Sequence, residues 1–261
     1  AVAGPQNLDT LQELVANRFN KVKNLNYISK PISSKFMKKD SRFRLMKIKT
    51  LKNIKILKLI FPLSKTLHYY KSKPLNILGF LIGHEGVGSL LSLLKSKNLA
   101  SNLSAGRVIS NEYFSSFEVS IQLTSKGLKN YKKIIEHFFQ YLSLLRKTGL
   151  PKYIFDEMKL KAKLDYNFAS KLEGVDLVNT FSTLMMYFPM RSLEIDPYII
   201  TAFKPRIFDS IIYNLTPDNM LAIIASPTLK TTEKERFYNT EYSLDYKNIP
   251  WMKKLRNSQT H

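Results

Sequence analysis

Apolar residues recur at helical spacing from the start of the chain: Leu8, Leu11, Leu14, Val15, Phe19 and Val22 follow Asn7, a good N-cap, and predict an amphipathic helix. Residues 25–42 have no period and mix proline, serine and lysine, which predicts a surface linker. Two β-branched runs follow, "FRLMKI" and "IKILKLIF", separated by "KTLKN" and ended by Pro62, and both read as strands. "FLIGHEGVGSLLSLLKSKNLASNLSAGR", residues 80–107, places three glycines within six positions and then a leucine-rich helical pattern. Next, Tyr113, Ser115, Phe117, Val119, Ile121 and Leu123 alternate with more polar positions, the mark of a strand with one buried face.

Thr124 or Ser125 then caps a long helix carrying Leu128, Tyr131, Ile134, Ile135, Phe138, Leu142 and Leu145, stopped by Gly149. Pro151 opens another helix through Ile154, Met158, Ala162 and Asp165, and a further one spans about 176–186. Beyond the irregular "YFPMRSLEIDPY", residues 197–214 look helical, "LTPDN" is a turn and "MLAIIA" is a last buried strand. Strands of one sheet with helices gathered between them predict an α+β two-layer sandwich, mainly antiparallel, with helices packed on one face.

The chain has 261 residues, 44% hydrophobic and 23% charged, ordinary proportions for a folded protein with a substantial core. It has no cysteine, which excludes disulfides, thiolate zinc clusters and cysteine nucleophiles. No apolar run is long enough for a membrane-spanning helix, and the N-terminus lacks the order of a signal peptide, so an intracellular soluble setting is expected and the compartment stays open. The first residue is not methionine, and a piece of a longer protein is expected. The net charge of +21 invites a nucleic-acid or anionic-surface reading. Against it, only nine of the 41 basic residues are arginine, the lysines are spread along the chain, and no arginine cluster or nucleic-acid motif is present.

His84 and Glu85 raise the question of a metal. A zinc peptidase site needs H-E-x-x-H or H-x-x-E-H, so that two histidines converge and the glutamate activates water. The histidines here are His68, His84, His137 and His261, and neither pattern occurs. Gly83, Gly86 and Gly88 match neither phosphate-loop pattern, and "GVGSLL" is not the elbow of a nucleophilic serine. No catalytic and no metal-ligating residue is assigned. There remains a helix start where glycines allow close backbone approach and Glu85 presents a carboxylate, or simply a capped helix N-terminus. His137 reads as a surface histidine, Trp251 as a residue packing a tail, and most Tyr and Phe residues as core.

"LGFLIGHEGVGSLLSLLKSKNLASNLSAG" closely resembles the insulysin branch of the insulinase, or pitrilysin-type, zinc metallopeptidases. So do "YYKSKPLNILGFLIGHEGVGSLLSLLKSK", "FFQYLSLLR", "YFPMRSLEIDPY", "KPRIFDSIIYNLTPDNM" and "FYNTEYS...IP", in collinear order over nearly the whole chain. The resemblance implies the second, non-catalytic domain of the N-terminal half, occupying residues 43–261, with residues 1–24 as the terminal strand and helix of the preceding domain. It implies a substrate exosite that holds a peptide N-terminus while a downstream bond reaches zinc in the parent enzyme, this chain binding no metal and being inactive alone. The site would comprise Phe80, Gly83, His84, Glu85 and Gly86 with Leu103, Ala105 and Arg107. Its partners would be peptide substrates, the catalytic first domain and the C-terminal half of the parent, with homo-oligomerisation left open.

Glu85 would accept hydrogen bonds from a peptide ammonium, and residues 103–107 would lead into a strand whose edge adds the peptide. Three positions depart from the insulysin pattern: Phe80 replaces histidine, Ala105 a glycine and Arg107 a glutamine. Arg107 either repels the ammonium or pairs with Glu85 when the site is empty. A degenerate paralogue, or a processing-peptidase-type non-catalytic subunit with its own glycine-rich loop, is the nearer alternative, and a basic nucleic-acid or anionic-surface binding protein the more distant one.

Overall fold

The structure, a computed structural model, describes residues 1–28, 44–245 and 255–256. The 25–42 linker, most of it, and Trp251 lie outside the described residues. The strands are β1 (Arg44–Ile48), β2 (Ile56–Ser64), β3 (Ala100–Ser110), β4 (Phe114–Leu123), β5 (Leu221–Ala225), β6 (Glu233–Lys234) and β7 (Glu241–Asp245). The helices are α1 (Leu8–Phe19), α2 (Pro74–Ile82), α3 (Leu90–Ser96), α4 (Ser125–Lys129), α5 (Tyr131–Thr148), α6 (Lys152–Asn167), α7 (Gly174–Leu184) and α8 (Pro205–Tyr213). They divide into two compact units: Ala1–Ile32 with Asp156–Ala202, and Ser33–Phe155 with Phe203–His261.

The second unit holds an open sheet in the order β3-β4-β2-β5-β1-β7-β6, antiparallel except for the parallel β1/β5 pair. The expected α+β architecture is present. Alternation decides its inner face. Leu57, Leu59, Phe61 and Leu63 are buried on β2 and stand opposite Ile121, Val119, Phe117 and Ser115 of β4. On the other side of β2, Leu57 and Leu59 face Ile224 and Ala222 of β5. α5 covers this face because Ile134, Ile135, Phe138, Phe139, Leu142 and Leu145 form one buried stripe at helical spacing. Phe138 and Phe139 reach Phe61 with ring centroids at 5.8 and 6.3 Å. The opposite face is half-exposed and carries the ion pair between Lys58 Nζ and Glu118 Oε1, 2.9 Å apart.

Several boundaries differ from expectation, for local reasons. β2 continues through Pro62 instead of ending there, because β5 pairs only as far as Ile60 and no ladder partner there needs the missing N–H; Asn219 Nδ2 donates to the Pro62 carbonyl at 2.8 Å. The long helix is two: Thr124 caps α4 by accepting from Gly127 N at 2.9 Å, and the chain breaks at Asn130 before α5. α8 begins only at Pro205, since the residue before a proline is held away from helical geometry, so residues 197–204 are not helical as expected. "MLAIIA" gives β5, which is not the last strand, because β6 and β7 follow.

In the first unit, α1 starts as predicted, Asn7 Oδ1 accepting from Thr10 N at 2.8 Å, but ends at Phe19. α1 and α7 bury no residue fully; Leu11 and Val15 of α1 and Leu177, Val178, Phe181 and Leu184 of α7 are half-buried. Phe61, Phe117, Phe138, Phe139, Phe155 and Phe208 are buried in the core, whereas Phe19, Tyr27, Tyr153, Phe168, Tyr213, Phe237 and Tyr238 are exposed. His137 hydrogen-bonds Gln140 with its Nδ1 3.0 Å from Oε1.

Candidate peptide-anchoring site

α2 is apolar nearly all round, with Leu75, Ile77, Leu78 and Ile82 buried, as a helix enclosed by its neighbours must be. Gly79 and Gly83 sit one turn apart on the side that meets β3. A Cβ on Gly79 would lie 2.8 Å from the Ala105 carbonyl oxygen and 3.3 Å from Gly106 Cα; one on Gly83 would lie 3.6 Å from Ala105 N. At Gly79 the helix therefore rests on the strand backbone to backbone, an approach only glycine permits, whereas at Gly83 the strand leaves ordinary contact distance for a methyl. Gly79 faces the carbonyl side of Ala105 and Gly83 its amide side, so α2 runs against β3 and its C-terminal end points toward Leu103. Tyr141 of α5 holds that end by donating to the Leu81 carbonyl at 3.0 Å, and burial raises the pKa of its hydroxyl, which keeps it a donor.

The loop leaving α2 is ordered by its own side chains. His84 Nδ1 accepts from Gly86 N at 3.1 Å, and the imidazole packs edge-on to Phe80 at 5.9 Å. A Cβ on Gly86 would meet His84 Cε1 at 2.5 Å, so the ring requires glycine there. Gly88 takes φ 84°, and Ser89 caps α3 by accepting from Ser92 N at 3.1 Å. His84 is thus a loop strut. Glu85 is not the cap of the following helix; its side chain is 64% exposed, with Lys95 Nζ 3.5 Å away.

β3 supplies the other wall and lies at the end of the sheet. Its register on β4 runs unbroken over residues 102–107 between two irregularities. In an antiparallel pair alternate residues point their N–H and C=O away from the partner, so this stretch offers a regular row of backbone groups with no strand partner among the described residues. Leu103 is buried, Ala105 is half-buried beneath α2, and Arg107 is exposed. Of the eight sequence-selected residues, Gly83 meets the backbone of Ala105, and His84 contacts both Phe80 and Gly86, while Leu103 and Arg107 lie two positions either side of Ala105 on β3 and Glu85 contacts Lys95. Residues 103–107 lie within the edge strand rather than leading into one.

The alternative in which Arg107 pairs with Glu85 is not realised: Lys95 takes that place, and Arg107 makes no side-chain hydrogen bond or ion pair among the described residues. Sequence reasoning missed Lys95, ten residues along and with no pattern to mark it, and missed Gly79, whose spacing from Gly83 was the available signal. Among the described residues no three His, Cys, Asp or Glu side chains could hold a metal ion. The chemistry on offer is a carboxylate for a cation and a strand edge that has no partner among the described strands.

The family description "Peptidase M16 inactive domain" matches residues 1–161, more than half of the chain. The chain belongs to the M16 peptidase family. A second M16 description, "Middle or third domain of peptidase_M16", matches residues 166–261. Among M16 relatives, the insulin-degrading enzyme of Drosophila melanogaster is 31% identical over 247 residues, covering 94% of this chain and 25% of that protein. The insulin-degrading enzyme of Homo sapiens is 32% identical over 243 residues, 92% of this chain and 24% of that protein. The crystal structure of pitrilysin superposes with a TM-score of 0.90 over 98% of this chain and 27% of its own, at 22% identity, a likeness of fold. The chain thus spans about a quarter of the length of the relatives it matches. As an inactive-type M16 domain it resembles proteases without carrying their zinc motif. No helix among the described residues is long and apolar enough to cross a membrane.

Proposed function

We propose that this chain anchors substrate for a larger insulysin-type zinc endopeptidase, holding the N-terminus of a peptide while a downstream bond is cut elsewhere in the parent. The observation that supports this reading is the seating of α2 on β3 through Gly79, because only Gly83 and His84 separate the end of α2 from Glu85 and β3 lies at the end of the sheet formed by the described strands. Glu85 has no capping duty and is open to a ligand ammonium; the edge can hydrogen-bond an extended backbone whatever its side chains. Such an anchor is sequence-tolerant and amine-specific, which suits a protease of unfolded peptides. Zinc, in this reading, belongs to the catalytic domain of the parent.

The test is binding of one labelled peptide, with a free or an acetylated N-terminus, to the wild type and to Glu85→Gln. The reading expects the free amine to bind about fivefold tighter, the scale of an exposed ion pair, and the preference to vanish in the variant. Equal binding of the two peptides to the wild type overturns it.

A further inference from the structure

Arg107 is the charged group of this site that the anchoring reading leaves without a task. It shares a strand face with Ala105, two positions away, and stands opposite Phe117 on β4, an apolar residue that is fully buried. The nearest acidic side chain along β4, Glu118, is opposite Gly106, so it projects to the other face, where Lys58 binds it at 2.9 Å. Among the described residues Arg107 therefore has no anionic partner, and it is exposed at one end of the regular edge. The Glu85 loop departs from α2 at the end that points toward Leu103, so the two charges lie toward opposite ends of the same stretch. The edge register breaks immediately beyond Arg107 and again between Ala100 and Asn102, which confines a paired peptide to the segment between.

We propose that Arg107 makes this anchor selective for peptides with an acidic side chain at the third residue behind a free N-terminal amine, an inference that rests on the anchoring function proposed above. Because Gly83 meets the Ala105 amide, a peptide whose ammonium reaches Glu85, two residues on, would set its first residue beside Ala105. Its third residue, about 6.8 Å further along and on the same face, then lies beside Arg107. The fork of a guanidinium receives a carboxylate with two parallel hydrogen bonds, which lysine or glutamine there would not do. The concern that Arg107 repels the incoming ammonium falls away, because the two cations are separated along the strand. Glu85 and Arg107 together read a charge pattern, positive then negative, with a fixed spacing and a fixed chain direction.

The experiment compares Kd values of the 261-residue chain for otherwise identical labelled peptides with glutamate or glutamine as the third residue, with the glutamate moved to the second or fifth place, and with each N-terminus free or acetylated. Wild type is set against Arg107→Gln, whose fold is checked by circular dichroism. Binding of the peptide with glutamate third about twofold to fivefold tighter than its glutamine counterpart, declining with added salt, and lost in Arg107→Gln while the free-amine preference survives, is the expected result. If the free-amine preference holds but the glutamate and glutamine peptides bind alike, the charge reading is wrong and the anchor stands. An equal gain from glutamate at every position also overturns it, since general attraction to a +21 chain then explains the effect. If no peptide shows a free-amine preference, the anchor and the selectivity fall together.

Discussion

On β2 every second side chain from Leu57 to Leu63 is sealed inside the core, and both neighbouring strands pair with it; on β3, one ladder further out, only Ala100 and Leu103 are buried and one edge has no partner among the described strands. The two strands lie in one sheet, yet their side chains answer different demands. β2 is selected for close packing, where a lost methylene is felt. β3 carries serine, asparagine, glycine and arginine, residues that contribute little to a core and leave its backbone approachable. Register breaks and an exposed cation also discourage the edge from pairing with another copy of itself. α2 joins the two regimes, apolar where it meets the core and glycine where it meets β3.

The comparison predicts a graded series of substitutions. Phe61→Ala, at the centre, removes a fully buried ring in contact with Phe138 and Phe139 and should destabilise by about 3–5 kcal/mol in urea denaturation. Gly127→Ala follows at about 1–3 kcal/mol, since its Cβ would fall 1.8 Å from the Leu99 carbonyl oxygen and α4 would have to move. Gly79→Ala tests the junction: it should lower stability by a similar or smaller amount and also weaken amine-specific peptide binding, because α2 is pushed off β3. Gly106→Ala is its control on the strand itself; nothing lies within 4 Å of the added methyl, and stability should change by less than about 0.5 kcal/mol. Lys95→Gln should leave the melting temperature unchanged and strengthen binding of a free-amine peptide by up to about fivefold in a titration, because a competing cation is removed from Glu85.

Legibility in the sequence follows the same division. The central strands and α5 could be read directly, because burial on one face writes itself as period two in Leu57, Leu59 and Phe61 and as helical spacing in Ile134, Phe138 and Leu142. β3 could not be read, since its exposed edge tolerates polar residues and its bulges break the alternation. Helix limits at Asn130 and Pro205 were misjudged where a break or a proline overrides an apolar pattern. Of the site, family resemblance selected the residues, whereas the residue pattern alone pointed first to a capped helix N-terminus; Ser89 fills that capping role. The Lys95–Glu85 pair joins a loop to a helix surface and leaves no periodic trace.

The central claim is that a peptide N-terminus is held beside Glu85 and adds along the edge of β3. Backbone hydrogen exchange of the chain, with and without a saturating free-amine peptide, tests it most directly. Slower exchange at alternate amides within residues 102–107, absent when the peptide is acetylated or Glu85 is replaced by glutamine, is the predicted result. Protection that appears elsewhere while these amides exchange unchanged would contradict the account.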